Sequence, residues 1–233
     1  MQWTGLYYDL SGHPLPTFPL DARHRGAMTG DILAGLPSRR GHFLLESGYH
    51  TDIWLTLDEL FADPVTVAPL VAALADRLRA HAPEAVCGPL LGGAFLAQAI
   101  ATRLGARFYY TEPVIAPSED ALFAAHYRLP PALRRPVCGQ RVAVVDDVIS
   151  AGSSVRATVA ALDTAGASTV AVGALAVLGD PASSHFEREG IPVESLQRSS
   201  LDLWVSGECP LCESGRPLED PRQTDRSGTS DAG

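Results

Sequence analysis

The stretch Arg141-Val-Ala-Val-Val-Asp-Asp-Val-Ile-Ser-Ala-Gly-Ser-Ser-Val-Arg156 constrains the fold more than any other part of the chain. Val142 to Val145 are small or β-branched and uninterrupted, the composition of a central strand buried on both faces. Asp146 and Asp147 end the apolar run, and a Ser/Gly loop over residues 149–154 follows. Val155, Val159 and Leu162 then recur at helical spacing, so the loop stands between a strand and a helix N-terminus. Backbone N–H groups of such a loop, together with the helix dipole, hold an anion without any basic side chain.

Two carboxylates beside a phosphate would repel it unless something lies between them. A vicinal diol can donate hydrogen bonds to both, and hydrated Mg²⁺ accepts oxygen ligands while keeping much of its water. A diol next to a phosphate is a ribose 5-phosphate. An apolar strand ending in acids also occurs as the Mg²⁺-holding strand of P-loop nucleoside triphosphatases, but those need a Gly-x-x-x-x-Gly-Lys-Ser/Thr element, and this chain contains no lysine. A plain buried strand, with Ser153 or Ser154 serving only as helix N-cap, is the competing reading. A doublet of acids at a buried strand end is costly without a ligand and weighs against it.

The stretch resembles the phosphoribosyl pyrophosphate (PRPP) signature of type I phosphoribosyltransferases. The resemblance implies an α/β fold with a doubly wound, mostly parallel sheet and a small N-terminal hood. It assigns Asp146 and Asp147 to the ribose hydroxyls and to Mg²⁺, and Ser150, Ala151, Gly152, Ser153 and Ser154 to the 5-phosphate. A second strand, turn and helix unit, Ala85 to Cys87, Gly88-Pro-Leu-Leu-Gly-Gly93 and then Phe95 to Leu104, matches the family's pyrophosphate loop at Leu90, Leu91, Gly92 and Gly93.

Gly41-His-Phe-Leu-Leu-Glu-Ser-Gly48 reads as half of a hairpin with a Ser47-Gly48 turn, completed by Ile53, Trp54 and Leu55. This segment is similar to the hood of orotate phosphoribosyltransferases, which implies that Trp54, His50 and Ser150 contact the base. Trp54 could equally be core packing, since aromatic residues are buried more often than they bind. Lysines that the subfamily carries in the pyrophosphate loop, in the mobile loop and at position 50 are replaced here, as is an arginine after the last long strand, where Leu178, Gly179 and Asp180 stand. The mobile catalytic loop falls within residues 111–139, where Arg128, Arg134, Arg135 and His126 are the cations available to clamp pyrophosphate; Arg128 is taken as the catalytic one. Solvated loop charge is the alternative for all four.

At 233 residues the chain suffices for one α/β domain and a small accessory part. The expected division is an extension over 1–29 and a transferase domain over 30–205, with hood 30–66 and PRPP-binding core 67–205. A tail over 206–233 follows, disordered from Glu213 onward. A net charge of −9 opposes nucleic-acid binding. No apolar run approaches a membrane span, and the N-terminus lacks signal-peptide order, so a cytoplasmic location is expected. The four cysteines are read as reduced. Cys209-Pro-Leu-Cys212 is a single CxxC without the second pair a zinc site requires. The expected partners are PRPP and a base, orotate first, in a homodimer of the family's kind. A different base, or a non-catalytic PRPP-binding regulator, stands as the alternative.

Overall fold

A computed structural model describes residues 38–45, 47–55, 57–114, 126–179, 181–199 and 202–221. The expected extension over 1–29 lies outside the described residues. A two-stranded antiparallel hood comes first, β1 (Ser38–Leu44) and β2 (His50–Leu55), with an irregularity between Arg40 and Phe43. Helices α1 (Asp58–Ala62) and α2 (Pro64–Leu78) follow. The start of α2 is fixed by Asp63, whose carboxylate accepts the Val65 N–H at 3.0 Å, and by Pro64 in the first turn.

The core then alternates β3 (Ala85–Pro89), α3 (Gly92–Leu104), β4 (Arg107–Pro113), β5 (Tyr127–Arg128), α4 (Pro131–Val137), β6 (Arg141–Ile149), α5 (Ser153–Thr164), β7 (Ser168–Leu178), α6 (Pro181–Arg188) and β8 (Val193–Ser199). The sheet order is β5-β4-β3-β6-β7-β8, parallel except for the β4–β5 pair. From β3 the chain goes outward to β4 and then returns to β6 on the other side of β3. The β3/β6 gap is therefore the topological switch point, where α/β sheets bind ligands beyond the strands' carboxyl ends.

Strand alternation divides the core between the two sheet faces. Ala143 and Val145 pack with Leu74, Leu78, Leu96 and Ile100 of α2 and α3, whereas Val142 and Val144 pack with Val155, Leu162 and Phe186 of α5 and α6. Gly173 on β7 keeps α2 close, since a Cβ there would lie 3.1 Å from Leu78 Cδ1. Cys87 is fully buried in β3, and burial pushes its thiol up to about 12. All four cysteines are free. No helix among the described residues is long and apolar enough to cross a membrane.

Three details differ from the sequence reading. First, β6 does not stop at the acids. It runs on to Ile149, because the eleven-residue β7 continues the ladder through the Asp146↔Ala174 and Ile149↔Val177 pairs. Second, the 111–139 connection is not wholly irregular, since β5 pairs with β4 and the Pro130-Pro131 step starts α4. Third, residues 213–221 are not disordered. Backbone hydrogen bonds seat the described segment after the last core strand on the hood: His50 and Trp204 exchange a pair at 2.8 and 3.0 Å, while Leu44 N–H donates to the Glu219 carbonyl at 2.9 Å and Glu219 N–H to the His42 carbonyl at 2.8 Å.

Leu74→Ala, at a fully buried site in the α2 face of the core, should lower unfolding free energy by about 2–5 kcal/mol in urea titrations. Val65→Ala, on the solvent side of the same helix at 67% exposure, should change it by less than about 0.5 kcal/mol. Equal effects would contradict the assignment of helix faces.

Candidate active site

A cavity of about 350 Å³ opens at the β3/β6 switch point. Two helix N-termini meet there. Leu90, Leu91 and Gly92 bring the start of α3 to its wall, and Gly152, Ser153 and Ser154 bring the start of α5. Gly152 takes the left-handed conformation, φ +76°, that turns β6 into α5 and that side-chain-bearing residues avoid. Converging N-termini present unpaired N–H groups and partial positive charge, the arrangement that holds phosphate oxygens.

Asp146 and Asp147 stand between these two termini. Asp146 is 7% exposed; its Oδ2 accepts the Ser154 hydroxyl at 2.8 Å and its Oδ1 the Asp147 N–H at 3.1 Å. Asp147 Oδ1 accepts the Val148 N–H at 2.7 Å. The two glycines that open α3 allow the close fit. A Cβ on Gly92 would lie 2.1 Å from Asp147 Oδ2, and one on Gly93 would lie 2.7 Å from Asp146 Oδ1. Burial raises the Asp146 pKa well above the carboxylate range, and the neighbouring Asp147 charge raises it further, outweighing the Ser154 hydrogen bond that lowers it.

Asp146 and Asp147 are the only charged side chains among the described residues that line the cavity. Two oxygen-donor acids sharing a partly desolvated wall, one of them reluctant to ionise, fit a hydrated Mg²⁺ or a sugar diol well, since either would relieve the charge.

Of the residues expected to bind PRPP, Leu90, Leu91, Gly92, Asp146, Asp147, Ser150, Gly152, Ser153 and Ser154 line this cavity. Gly93 lies behind it against Asp146, and Ala151 is buried and borders a different concavity. The hood closes the far side through Ser47, Thr51, Ile53 and Trp54. Trp54 also leans on Phe43, with ring centroids 6.2 Å apart.

His50 is not in the wall. Alternation along β2 puts it on the face opposite Thr51 and Ile53, where it is 3% exposed and packed against His42 and Cys212. Arg128 is not in the wall either. The β4–β5 register sets it across from Glu112, whose carboxylate it reaches at 3.0 Å, and its side chain borders a separate surface concavity with Arg134 and Arg135. His126 borders yet another.

Sequence reasoning missed Ser47, Thr51, Tyr127 and Leu203 as wall residues. Ser47 had a signal, its place at the hairpin turn. It is 5% exposed, and its Oγ has no hydrogen-bond partner among the described residues.

A doubly wound sheet carrying paired acids between two anion-binding helix starts defines a phosphoribosyltransferase fold. The family model "Phosphoribosyl transferase domain" matches residues 59–211. The orotate phosphoribosyltransferase of Caldanaerobacter subterraneus subsp. tengcongensis is 31% identical over 185 residues, covering 78% of this chain and 88% of that protein. That of Thermotoga maritima is 33% identical over 184 residues, covering 78% and 89%. The crystal structure of the Aeropyrum pernix enzyme aligns with a TM-score of 0.55 and 25% identity over 69% of this chain and 87% of its own. That of the Mycobacterium tuberculosis enzyme with inorganic phosphate aligns at 0.54 and 22% over 72% and 91%, a likeness of fold. The chain belongs to the orotate phosphoribosyltransferase family.

The raised Asp146 pKa has a signature in stability. The folded state holds this proton more tightly than the unfolded chain, so the contribution is complete below roughly pH 4, the ordinary aspartate value, and is lost as pH rises toward the raised value. The ligand-free protein should therefore lose stability across that window. Asp146→Asn should flatten the slope and be the more stable protein at neutral pH, as read by denaturant midpoints from pH 4 to 8. A wild-type midpoint that rises through the same window relative to the variant would contradict the assignment.

Proposed function

We propose that this chain transfers the phosphoribosyl group of PRPP to orotate, giving orotidine 5′-phosphate and pyrophosphate. The observation that carries the reading is the placement of two carboxylates between two helix N-termini at the switch point, which matches a ribose flanked by two anionic groups. Asp146 and Asp147 accept hydrogen bonds from the ribose 2- and 3-hydroxyls. The start of α5, Gly152 to Ser154, receives the 5-phosphate, and the start of α3, Leu90 to Gly92, receives pyrophosphate.

Transfer requires a base nitrogen aligned with C1 of the ribose, water kept from a transition state with cationic character, and charge balanced on the leaving group. Mg²⁺, bound with PRPP near Asp146 and Asp147, would supply the countercharge for pyrophosphate. This chain's own residues do the positioning. Ile53, Trp54 and Leu55 of the hood supply an apolar cover for the base. The unpartnered Ser47 hydroxyl offers a hydrogen bond to a polar edge of the ring. A homodimer of the family's kind is part of the proposal.

Purified protein with PRPP, Mg²⁺ and orotate should consume orotate and release pyrophosphate in equal amounts. Asp147→Asn should lose ~10²-fold or more in kcat/KM through misplacement of the ribose. Gly92→Ala should lose a similar amount, because its Cβ would displace the Asp147 carboxylate. PRPP binding with no turnover of orotate would instead favour a regulator, the reading to which the absence of any basic side chain among the described wall residues lends weight. Turnover of another base alone would replace orotate as acceptor.

A further inference from the structure

Away from the cavity, four side chains with soft or borderline donor atoms converge on one point. His42 on β1, His50 at the start of β2, and Cys209 and Cys212 of the tail place their ligand atoms within 4.8 Å of one another. His42 Nε2 lies 3.0 Å from His50 Nδ1, 3.4 Å from Cys209 Sγ and 3.7 Å from Cys212 Sγ, and His50 Nδ1 lies 3.3 Å from Cys212 Sγ. Zinc bonds of about 2.3 Å to sulfur and about 2.0 Å to nitrogen imply ligand separations of roughly 3.3–3.8 Å around a tetrahedron. These four of the six edges fall close to that range, and the other two are within 4.8 Å. We propose that His42, His50, Cys209 and Cys212 form a closed, structural zinc site that fastens the C-terminal segment to the hood.

The surroundings are built for it. His42 Nδ1 lies 2.8 Å from the Arg216 carbonyl, which can only accept, so Nδ1 carries the proton and Nε2 turns its lone pair to the centre of the cluster. A backbone carbonyl that orients a ligating imidazole in this way is the usual outer partner of a metal-bound histidine. His42, His50 and Cys209 are each at most 3% exposed, while Cys212 reaches the surface and gives the ion a way in. Zn²⁺ displaces the two thiol protons, and the resulting two-thiolate, two-imidazole complex has no net charge, which suits a buried position. Two sulfurs and two nitrogens in a tetrahedron select zinc over the oxygen-seeking Mg²⁺. With all four positions filled by protein, the site is structural and not catalytic.

It also answers a physical need. A two-stranded sheet is marginal by itself, and among the described residues the hood's sheet has two strands, β1 and β2. The ligands stand as much as 170 residues apart in sequence, so the ion joins the hood to the segment that follows the last core strand. This role does not depend on which reaction the cavity performs.

The test is metal content of the full chain, expressed with zinc and freed of loose ions on a chelating resin. The expected result is one zinc per chain by mass spectrometry. Exchange with Co²⁺ should give tetrahedral d–d bands and thiolate charge-transfer absorption. Cys209 and Cys212 should resist alkylation while the exposed Cys138 reacts. Cys212→Ser, at the exposed ligand, should lose most of the zinc and the charge-transfer band. Should that variant fail to fold, the cobalt spectrum of the unaltered protein decides. Wild-type protein that stays metal-poor after refolding with zinc and gives no thiolate–cobalt band would overturn the proposal. So would undiminished zinc in Cys212→Ser.

Discussion

The site depends on a single contact, the wedging of two carboxylates against the glycines that begin the neighbouring helix. Asp146 and Asp147 continue a buried strand, yet Gly92 and Gly93 approach them so closely that no side chain fits between. This brings the N-terminus of α3 and the N-terminus of α5 to the same cavity with two acids in the middle. An anion–diol–anion sequence of charge in the ligand matches the order of groups in the wall. The cost is a carboxyl that resists ionisation when nothing relieves it, a stability–function conflict of the kind expected at a working site.

The hood is the second half of the arrangement, and it serves two ends. One face of β2 gives Thr51 and Ile53 to the cavity, and the other turns His50 toward His42 and the tail cysteines. Strand alternation thus sets Thr51 and Ile53 opposite His50, while Trp54, of the same parity as His50, still reaches the cavity from farther along the strand. Because Leu203, just before the tail, lines the cavity wall, whatever holds the tail in place helps to shape the site.

The core was largely legible from the sequence because its signals are local. The Val142–Val145 run, the acids and the Ser/Gly loop lie side by side in the chain, and the Gly-rich turn before α3 has the same strand-to-helix form. What escaped depended on long-range pairing. The CxxC looked incomplete because its partners lie in the hood, far away in sequence. Motif position points His50 toward the base but says nothing of which face a strand presents. Loop position points Arg128 toward pyrophosphate, whereas cross-strand register sets it against Glu112. The tail's polar composition suggested disorder, but backbone pairing with β1 and β2 does not require apolar side chains.

The most direct test of the central claim is calorimetric titration of PRPP into the full chain, with and without Mg²⁺, for the unaltered protein and for a combined Asp146→Asn/Asp147→Asn variant. The account predicts saturable binding with Mg²⁺, little binding without it because the described cavity wall carries only negative side-chain charge, and no measurable binding to the variant. Equal binding by both proteins, or binding indifferent to Mg²⁺, would contradict the assignment of the ribose to these carboxylates.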